Sequence, residues 1–228
     1  MTSKPPPEPA NDRASVLIVD DHPLIRQGLA VLINRQADMA VAAEADEPRA
    51  ALAAATNLRP RLAVVDISLG QADGLALVKD LKARQPKMDI LVLSMHDEVV
   101  YAERALRAGA SGYVMKQERL GTVIEALRRV LQGQVHLSEK MTSRLVRRVA
   151  GRSAEPPATP AELLSDREFH VLRLLGQGLG PTEIAQRLHL SPKTVETHRT
   201  RIKDKLKLDS AASLRQYAIQ WMQHQETP

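Results

Sequence analysis

The chain has 228 residues, of which 43% are hydrophobic, 26% charged and only 2% aromatic. That length holds two domains with separate cores, and one Phe and one Trp argue against nucleic-acid recognition by base stacking. No cysteine is present, which excludes a disulfide framework and thiolate metal sites, and the net charge of +5 favours an anionic partner.

The first residues, MTSKPPPEPANDR, carry no apolar segment after their charge, so they predict a disordered, proline-rich leader over 1–13 rather than a signal peptide. No apolar run approaches a membrane span, so the expectation is a cytoplasmic protein with no membrane partner. Over 14–135, short apolar runs alternate with segments of helical period. VLIV runs into Asp20 and Asp21, LAVV into Asp66, ILVL into Ser94 and SGYVM into Lys116, with VAAEAD as a further strand. Gly109 and Gly133 stand where helices would end. Runs of this kind read as strands buried on both faces, and their alternation with helices predicts a doubly wound parallel sheet. In such sheets the functional groups collect at the carboxyl ends of the strands.

That rule would gather three carboxylates, a hydroxyl and an ammonium group in one crevice. Carboxylates crowded together repel one another unless a proton or a metal intervenes, and Mg²⁺ takes oxygen ligands of this kind. A carboxylate can also attack phosphorus and form an aspartyl phosphate. Asp66 stands alone at its strand end and is the candidate nucleophile, whereas the adjacent Asp20 and Asp21 form the candidate metal-holding pair. Lys116 suits neutralisation of phosphoryl charge, and the Ser94 hydroxyl can donate to a phosphoryl oxygen. Taken singly, each residue has a plainer reading: an Asp-Asp pair as a turn or cap, Ser94 as a helix cap, Lys116 as a solvated lysine, Tyr113 as an ordinary half-buried aromatic. The ordered set, with every member at a strand end, outweighs those readings.

VLIVDDHPLIRQGL, VVDISLGQADGLAL, LVLSMHD and GASGYVMK resemble the phosphoacceptor receiver domain of two-component response regulators. The resemblance implies a five-stranded, flavodoxin-like fold. It makes Asp66 the phosphoacceptor and Ser94, Tyr113 and Lys116 the phosphoryl-stabilising and switch residues. Mg²⁺ would be held by Asp20, Asp21, Asp66 and the backbone carbonyl of Ser68. Gly70 departs from the proline usual in the family four residues after the phosphoacceptor, which would loosen the loop above the site.

Residues 136–161 predict a linker: a helix, SEKMTSRLVRRVA, with basic residues on its exposed positions, then the proline-containing stretch GRSAEPPATPAE. A solvated face is the simpler account of those cations, with a contact to DNA or to the other domain as the alternative. Over 162–224 the pattern is all helical. Ser165 and Glu168 form a capping box opening DREFHVLRLLGQG, Pro181 fits the first turn of TEIAQRLHL, and Ser191-Pro192 opens SPKTVETHRTRIKDKL. SAASLRQYAIQWMQ follows, with Leu214, Ala218 and Trp221 on one stripe. Two helices joined by LHLS have the spacing of a helix-turn-helix.

The helix opened at Ser191 separates into faces. Val195, His198, Ile202 and Leu206 form the core stripe; Lys193, Glu196, Thr197, Thr200 and Asp204 lie opposite, flanked by Arg199, Arg201, Lys203, Lys205 and Lys207. Short polar side chains between cations suit a helix in the major groove, with the centre reading base edges and the flanks meeting phosphates. On this reading Lys193, Arg199, Arg201 and Lys205 are the phosphate contacts. An ordinary charged surface helix is the plainer alternative, and His198, with no second ligand at metal spacing on its face, reads as a packed histidine. LSDREFHVLRLLGQGLGPTEIAQRLHLSPKTVETHRTRIKDKLKL resembles the LuxR-type helix-turn-helix domain, which implies that Glu196, Thr197 and Thr200 face the bases. Gly180-Pro181 replaces the polar residues common before the Glu, leaving the start of that helix open.

Receiver plus LuxR-type domain is similar to the NarL/FixJ-type response regulators. The resemblance implies a transcription regulator phosphorylated by a sensor histidine kinase, binding double-stranded promoter DNA as a phosphorylation-favoured homodimer, with RNA polymerase admitted as a further partner. It implies no catalytic residue beyond a phosphoryl acceptor that slowly dephosphorylates itself. Two other classes compete. A phosphatase using a strand-end Asp would need a second acid two residues on, where this chain has Ser68. A DNA binder indifferent to phosphorylation would not need the complete acid, hydroxyl and lysine set.

Overall fold

The computed structural model describes residues 13–70, 72–150, 163–188 and 190–226. The expected proline-rich leader, apart from Arg13, and the stretch 151–162 lie outside the described residues. Two compact units are present: one takes residues up to Met95 with Ala105–Leu137, the other His96–Arg104 with Ser138–Pro228.

The first unit is built on the strands β1 (Ala14–Val19), β2 (Met39–Ala45), β3 (Leu62–Val65), β6 (Asp89–Ser94) and β7 (Gly112–Met115), which form one sheet in the order β2-β1-β3-β6-β7. All neighbouring pairs are parallel. This is the flavodoxin-like order, with its switch between β1 and β3. The strands are apolar throughout because both sheet faces are covered: every residue of β3 is buried, as are Val16 to Val19 of β1. On one face Val16, Ile18, Val64, Leu91, Leu93 and Val114 pack with Leu29 and Ile33 of α1 (Pro23–Asn34) and Val123, Leu127 and Val130 of α5 (Leu120–Leu131). Side chains alternate along a strand, so Leu17, Ala63, Ile90 and Val92 turn to the other face. Beyond it run α2 (Pro48–Leu58) and α3 (Gly74–Arg84). Truncating a fully buried Ile33 or Leu127 to Ala would cost about 2–5 kcal/mol.

Helix ends follow the sequence signals. Gly109 and Gly133 adopt φ of 107° and 76°, as glycines closing helices do. One feature has no counterpart in the sequence reading: β4 (Ser68–Leu69) and β5 (Ala72–Asp73) form a small antiparallel hairpin. Two-residue strands carry no period that a sequence pattern could reveal.

In the second unit, α6 (Glu139–Val149) opens at Ser138, whose hydroxyl accepts from Met141 N, and α7 (Asp166–Gly176), α8 (Pro181–Arg187), α9 (Pro192–Leu206) and α10 (Ala211–Glu226) form a compact bundle. The capping box at α7 is complete: Ser165 N donates to Glu168 Oε2 at 2.8 Å and Glu168 N to Ser165 Oγ at 3.3 Å. The open question at Gly180-Pro181 resolves locally. Gly180 is the N-cap, Pro181 takes the first helical position, and Gly180 N donates to Glu183 Oε2 at 2.6 Å. Phe169, Leu172, Ile184, Val195, Ile202, Leu214 and Ala218 are buried, and Phe169 meets Trp221 edge to face at 5.2 Å. α7 and α10 approach closely because Gly176 has no side chain; a Cβ there would lie 2.4 Å from Met222 Cγ and 2.6 Å from the carbonyl oxygen of Ala218.

Candidate functional site

Four strand ends of the first unit converge as their residue order predicts. β1 delivers Asp20 and Asp21, β3 delivers Asp66, β6 ends on Ser94 and β7 is followed by Lys116. The ladder itself fixes their depth: Asp66 N donates to Val19 O at 2.9 Å, Asp20 N to Ala45 O at 3.1 Å and Lys116 N to Ser94 O at 2.8 Å. Asp20, Asp66 and Ser94 are buried. Lys116 Nζ bridges two of the carboxylates, 2.6 Å from Asp20 Oδ2 and 2.8 Å from Asp66 Oδ2. Tyr113 is buried in β7, the strand that leads to Lys116.

Burial raises the pKa of Asp66 above the ordinary carboxylate value, and the Lys116 ammonium offsets only part of that. Burial pushes Lys116 the other way, down, but Asp20 and Asp66 together outweigh it and hold its pKa above the ordinary value. The ammonium is therefore a fixed positive charge beside an oxygen of Asp66.

A cation fits the open side of this cluster. Asp20, Asp21, His22 and Asp66 each offer one ligand atom, and those atoms lie within 4.8 Å of one another. Asp21 Oδ1 is buried without a hydrogen-bond partner among the described residues, a cost that a bound cation would remove. Ser68 stands beside this cluster, its N–H donating to Asp66 Oδ1 at 3.1 Å. The carboxylate oxygens of Asp20, Asp21 and Asp66 are donors of the kind Mg²⁺ uses.

Sequence reasoning missed Gly74 and Arg26 in this site and saw only part of the role of Gly70. Gly70 does more than loosen a loop: at φ 56° its N–H donates to Asp21 Oδ2 at 2.8 Å, and proline could supply neither that angle nor that donor. Gly74 lets α3 start against the backbone of Asp66, since a Cβ there would fall 2.2 Å from the Asp66 carbonyl oxygen. Arg26 Nη1 holds the Asp20 carbonyl at 2.6 Å. Only Gly70 left a signal in the sequence, as the departure from the proline pattern.

The second candidate surface lies on α9. Val195 and Ile202 are buried while His198 and Leu206 are half-buried, so the core stripe is as its period predicts. Burial holds the His198 pKa below its ordinary value, as for a packed histidine. Lys193, Glu196, Thr197, Thr200 and Arg201 are exposed. Within this face Glu196 pairs with Arg199, and Thr197 Oγ1 donates to Lys193 O at 3.0 Å. Lys205 reaches back to Glu168, 2.7 Å from Oε2.

Residues 16–128 match the response regulator receiver domain family, and residues 162–218 match the luxR family of bacterial regulatory proteins. The chain is 34% identical over 209 residues to the oxygen regulatory protein NreC of Staphylococcus epidermidis, covering 90% of this chain and 96% of that one. NreC of Staphylococcus carnosus is 35% identical over 208 residues, with the same coverage. The chain belongs to the response regulators with a LuxR-type domain. Among solved structures, this response regulator resembles RcsB of Salmonella enterica serovar Typhimurium bound to the promoter rprA in the presence of phosphomimetic BeF3-. There the TM-score is 0.68 at 26% identity, over 90% of this chain and 98% of that one. RcsB is also known as two dimers bound to two parallel DNAs, a structure that matches with a TM-score of 0.55 at 27% identity over 90% of this chain and 97% of that one. The response regulator is thus a phosphorylation-dependent regulator of transcription, and both matched families are regulatory. No helix among its described residues is long and apolar enough to cross a membrane.

Proposed function

We propose that Asp66 accepts a phosphoryl group from a sensor histidine kinase and that α9 then reads promoter DNA. The observation that carries the first half is the bridge from Lys116 to Asp66 and Asp20 at the carboxyl ends of three parallel strands. An Asp66 oxygen attacks the phosphorus of a phosphohistidine, the P–N bond breaks as the P–O bond forms, and the departing imidazole keeps the electron pair and takes a proton. Lys116 neutralises charge on the phosphoryl oxygens, and the Ser94 hydroxyl donates to one of them. Asp20, Asp21, Asp66 and the carbonyl of Ser68 are the residues that would hold Mg²⁺, which when bound supplies further charge neutralisation at the same oxygens. Slow hydrolysis of the acyl phosphate by water returns the protein to its starting state.

Ser94 and Tyr113 sit on adjacent strands, and their adjustment to the phosphoryl group is the proposed link to the output. The phosphoryl group binds one arrangement better than the other and shifts the population toward it. The receiver is proposed to span 14–135 and the DNA-binding domain 162–224, in a cytoplasmic protein that dimerises when phosphorylated and can contact RNA polymerase. The RcsB complexes support DNA and a dimer as partners. On α9, Glu196, Thr197 and Thr200 are the proposed base readers, with Lys193, Arg199 and Arg201 as phosphate contacts. Lys205 is a fourth proposed phosphate contact, one that would have to compete with Glu168.

Incubation with a small phosphodonor and Mg²⁺ tests the site. One acid-stable, base-labile phosphoryl group is expected, lost in Asp66→Asn; Ser94→Ala should keep the label but uncouple it from binding to genomic promoter fragments. Labelling of Asp66→Asn with unchanged kinetics would put the acceptor elsewhere.

A further inference from the structure

We infer that His22 is a nitrogen ligand of the cation site, so that this receiver discriminates in favour of divalent first-row transition cations over Mg²⁺. The inference rests on the reading of Asp20, Asp21 and Asp66 as a cation site and adds to it a residue and a selectivity.

The sequence fixes the place of the ring. His22 follows the acid pair directly and precedes Pro23, and a residue before proline is kept out of the helical region. It accordingly takes the extended N-cap position of α1, at φ −88° and ψ 109°, with no side-chain capping bond to the helix. Its backbone N–H donates to Asp20 Oδ1 at 2.9 Å, which fixes the residue against the acid it follows. The ring is therefore not employed as a cap and is directed back to the strand end.

The distances would allow these atoms to share a cation. His22 Nδ1 lies 2.8 Å from Asp21 Oδ1 and 3.3 Å from Asp20 Oδ1. Ligands about 2.1 Å from an octahedral ion stand about 3 Å apart when adjacent, so both separations fit two edges of one coordination octahedron. The ring nitrogen is within hydrogen-bond distance of Asp20 Oδ1, while Asp21 Oδ1, buried and 2.8 Å from the same nitrogen, has no hydrogen-bond partner among the described residues. The His22 side chain remains 61% exposed, leaving room for the ion's water ligands.

The consequence is chemical. An all-oxygen site suits Mg²⁺, while imidazole shifts preference toward the later first-row ions. Asp21 is held from its other side by Gly70 N–H on Oδ2, so Oδ1 keeps its direction toward Nδ1.

Two measurements on the full chain test this. Calorimetric titration with Mg²⁺ and with Co²⁺, on the native protein and on His22→Ala, should show the ratio of the two affinities falling by about tenfold or more in the variant. Pulsed EPR of the Mn²⁺-loaded protein should show a directly bonded ¹⁴N that disappears in His22→Ala and is retained in a variant of another histidine, His96→Ala. If Mn²⁺ binds with no nitrogen coupling, or the Co²⁺-to-Mg²⁺ ratio is the same in His22→Ala, the ligand assignment to His22 is overturned. If Asp20→Asn and Asp21→Asn bind all three ions as the native protein does, the cation site itself is wrong, and the inference falls with it.

Discussion

Lys205 Nζ stands 2.7 Å from Glu168 Oε2, joining the last turn of α9 to the residue that completes the capping box of α7. Glu168 is 3% exposed. Burial alone would raise its pKa, but Lys205 and the two bonds to Ser165 outweigh that and hold it below the ordinary value. Lys205 therefore belongs to the packing of the helical unit as well as to the cationic flank of α9.

Lys205→Met should consequently cost stability, by about 1 kcal/mol, since the lysine is partly solvated and its partner keeps the Ser165 bonds. The sole tryptophan, Trp221, packs against Phe169 in this unit, so its fluorescence in denaturant reports the transition locally. A midpoint equal to that of the native chain would mean that the ion pair contributes nothing.

Lys116→Met probes the other unit. It leaves the buried Asp20 and Asp66 carboxylates facing each other without their cation. Loss of one partner from a buried set costs about 3 kcal/mol or more. Saturating Mg²⁺ should restore a larger part of the melting temperature in the variant than it adds to the native protein, because the ion takes over the missing charge. Equal Mg²⁺ shifts in both proteins, followed by circular dichroism, would separate Lys116 from the cation site.

His198 gives a pH dependence with a defined sign. Burial lowers its pKa; Glu168 pulls it up, and Arg167 and Arg201 push it down. A folded pKa below the unfolded value means that the folded state binds the proton less readily. The contribution to stability is then whole above the unfolded value of about 6.5 and is lost as pH falls through the folded value. Between about pH 7.5 and about pH 5 the native chain should lose more stability than His198→Gln, read again by Trp221. Parallel losses in the two proteins would contradict the burial argument.

What the sequence made legible and what it hid differ in range. Asp20, Asp66, Ser94 and Lys116 could be placed because parallel strands buried on both faces are apolar runs, and the first polar residue after each run marks a strand end. Ser165 and Glu168, or Ser191 and Pro192, could be placed because caps act within one turn. The contacts of Gly74 with the Asp66 carbonyl and of Lys205 with Glu168 were hidden, since each depends on how separate elements approach. The Glu196–Arg199 pair has i,i+3 spacing and so is legible in the sequence, but spacing alone does not show which of several neighbouring charges pair.

That pair sharpens the final prediction, which separates reading from gripping on α9. Glu196 can accept a hydrogen bond from a cytosine amino group, and Arg199 alongside fixes the carboxylate's direction. Glu196→Ala should change base preference at one position of the site by about 1–3 kcal/mol of discrimination, and Thr200→Ala should do so at a neighbouring one. Arg201 is exposed on the flank, so Arg201→Ala should weaken all sequences alike and lower the salt slope by about one unit. Arg199→Ala should do both to a lesser degree, because it removes a cation and frees Glu196. Binding to the best site and to single-base variants, titrated with salt, distinguishes these outcomes. An even loss of affinity in Glu196→Ala together with an altered preferred base in Arg201→Ala would mean that α9 enters the groove in another orientation.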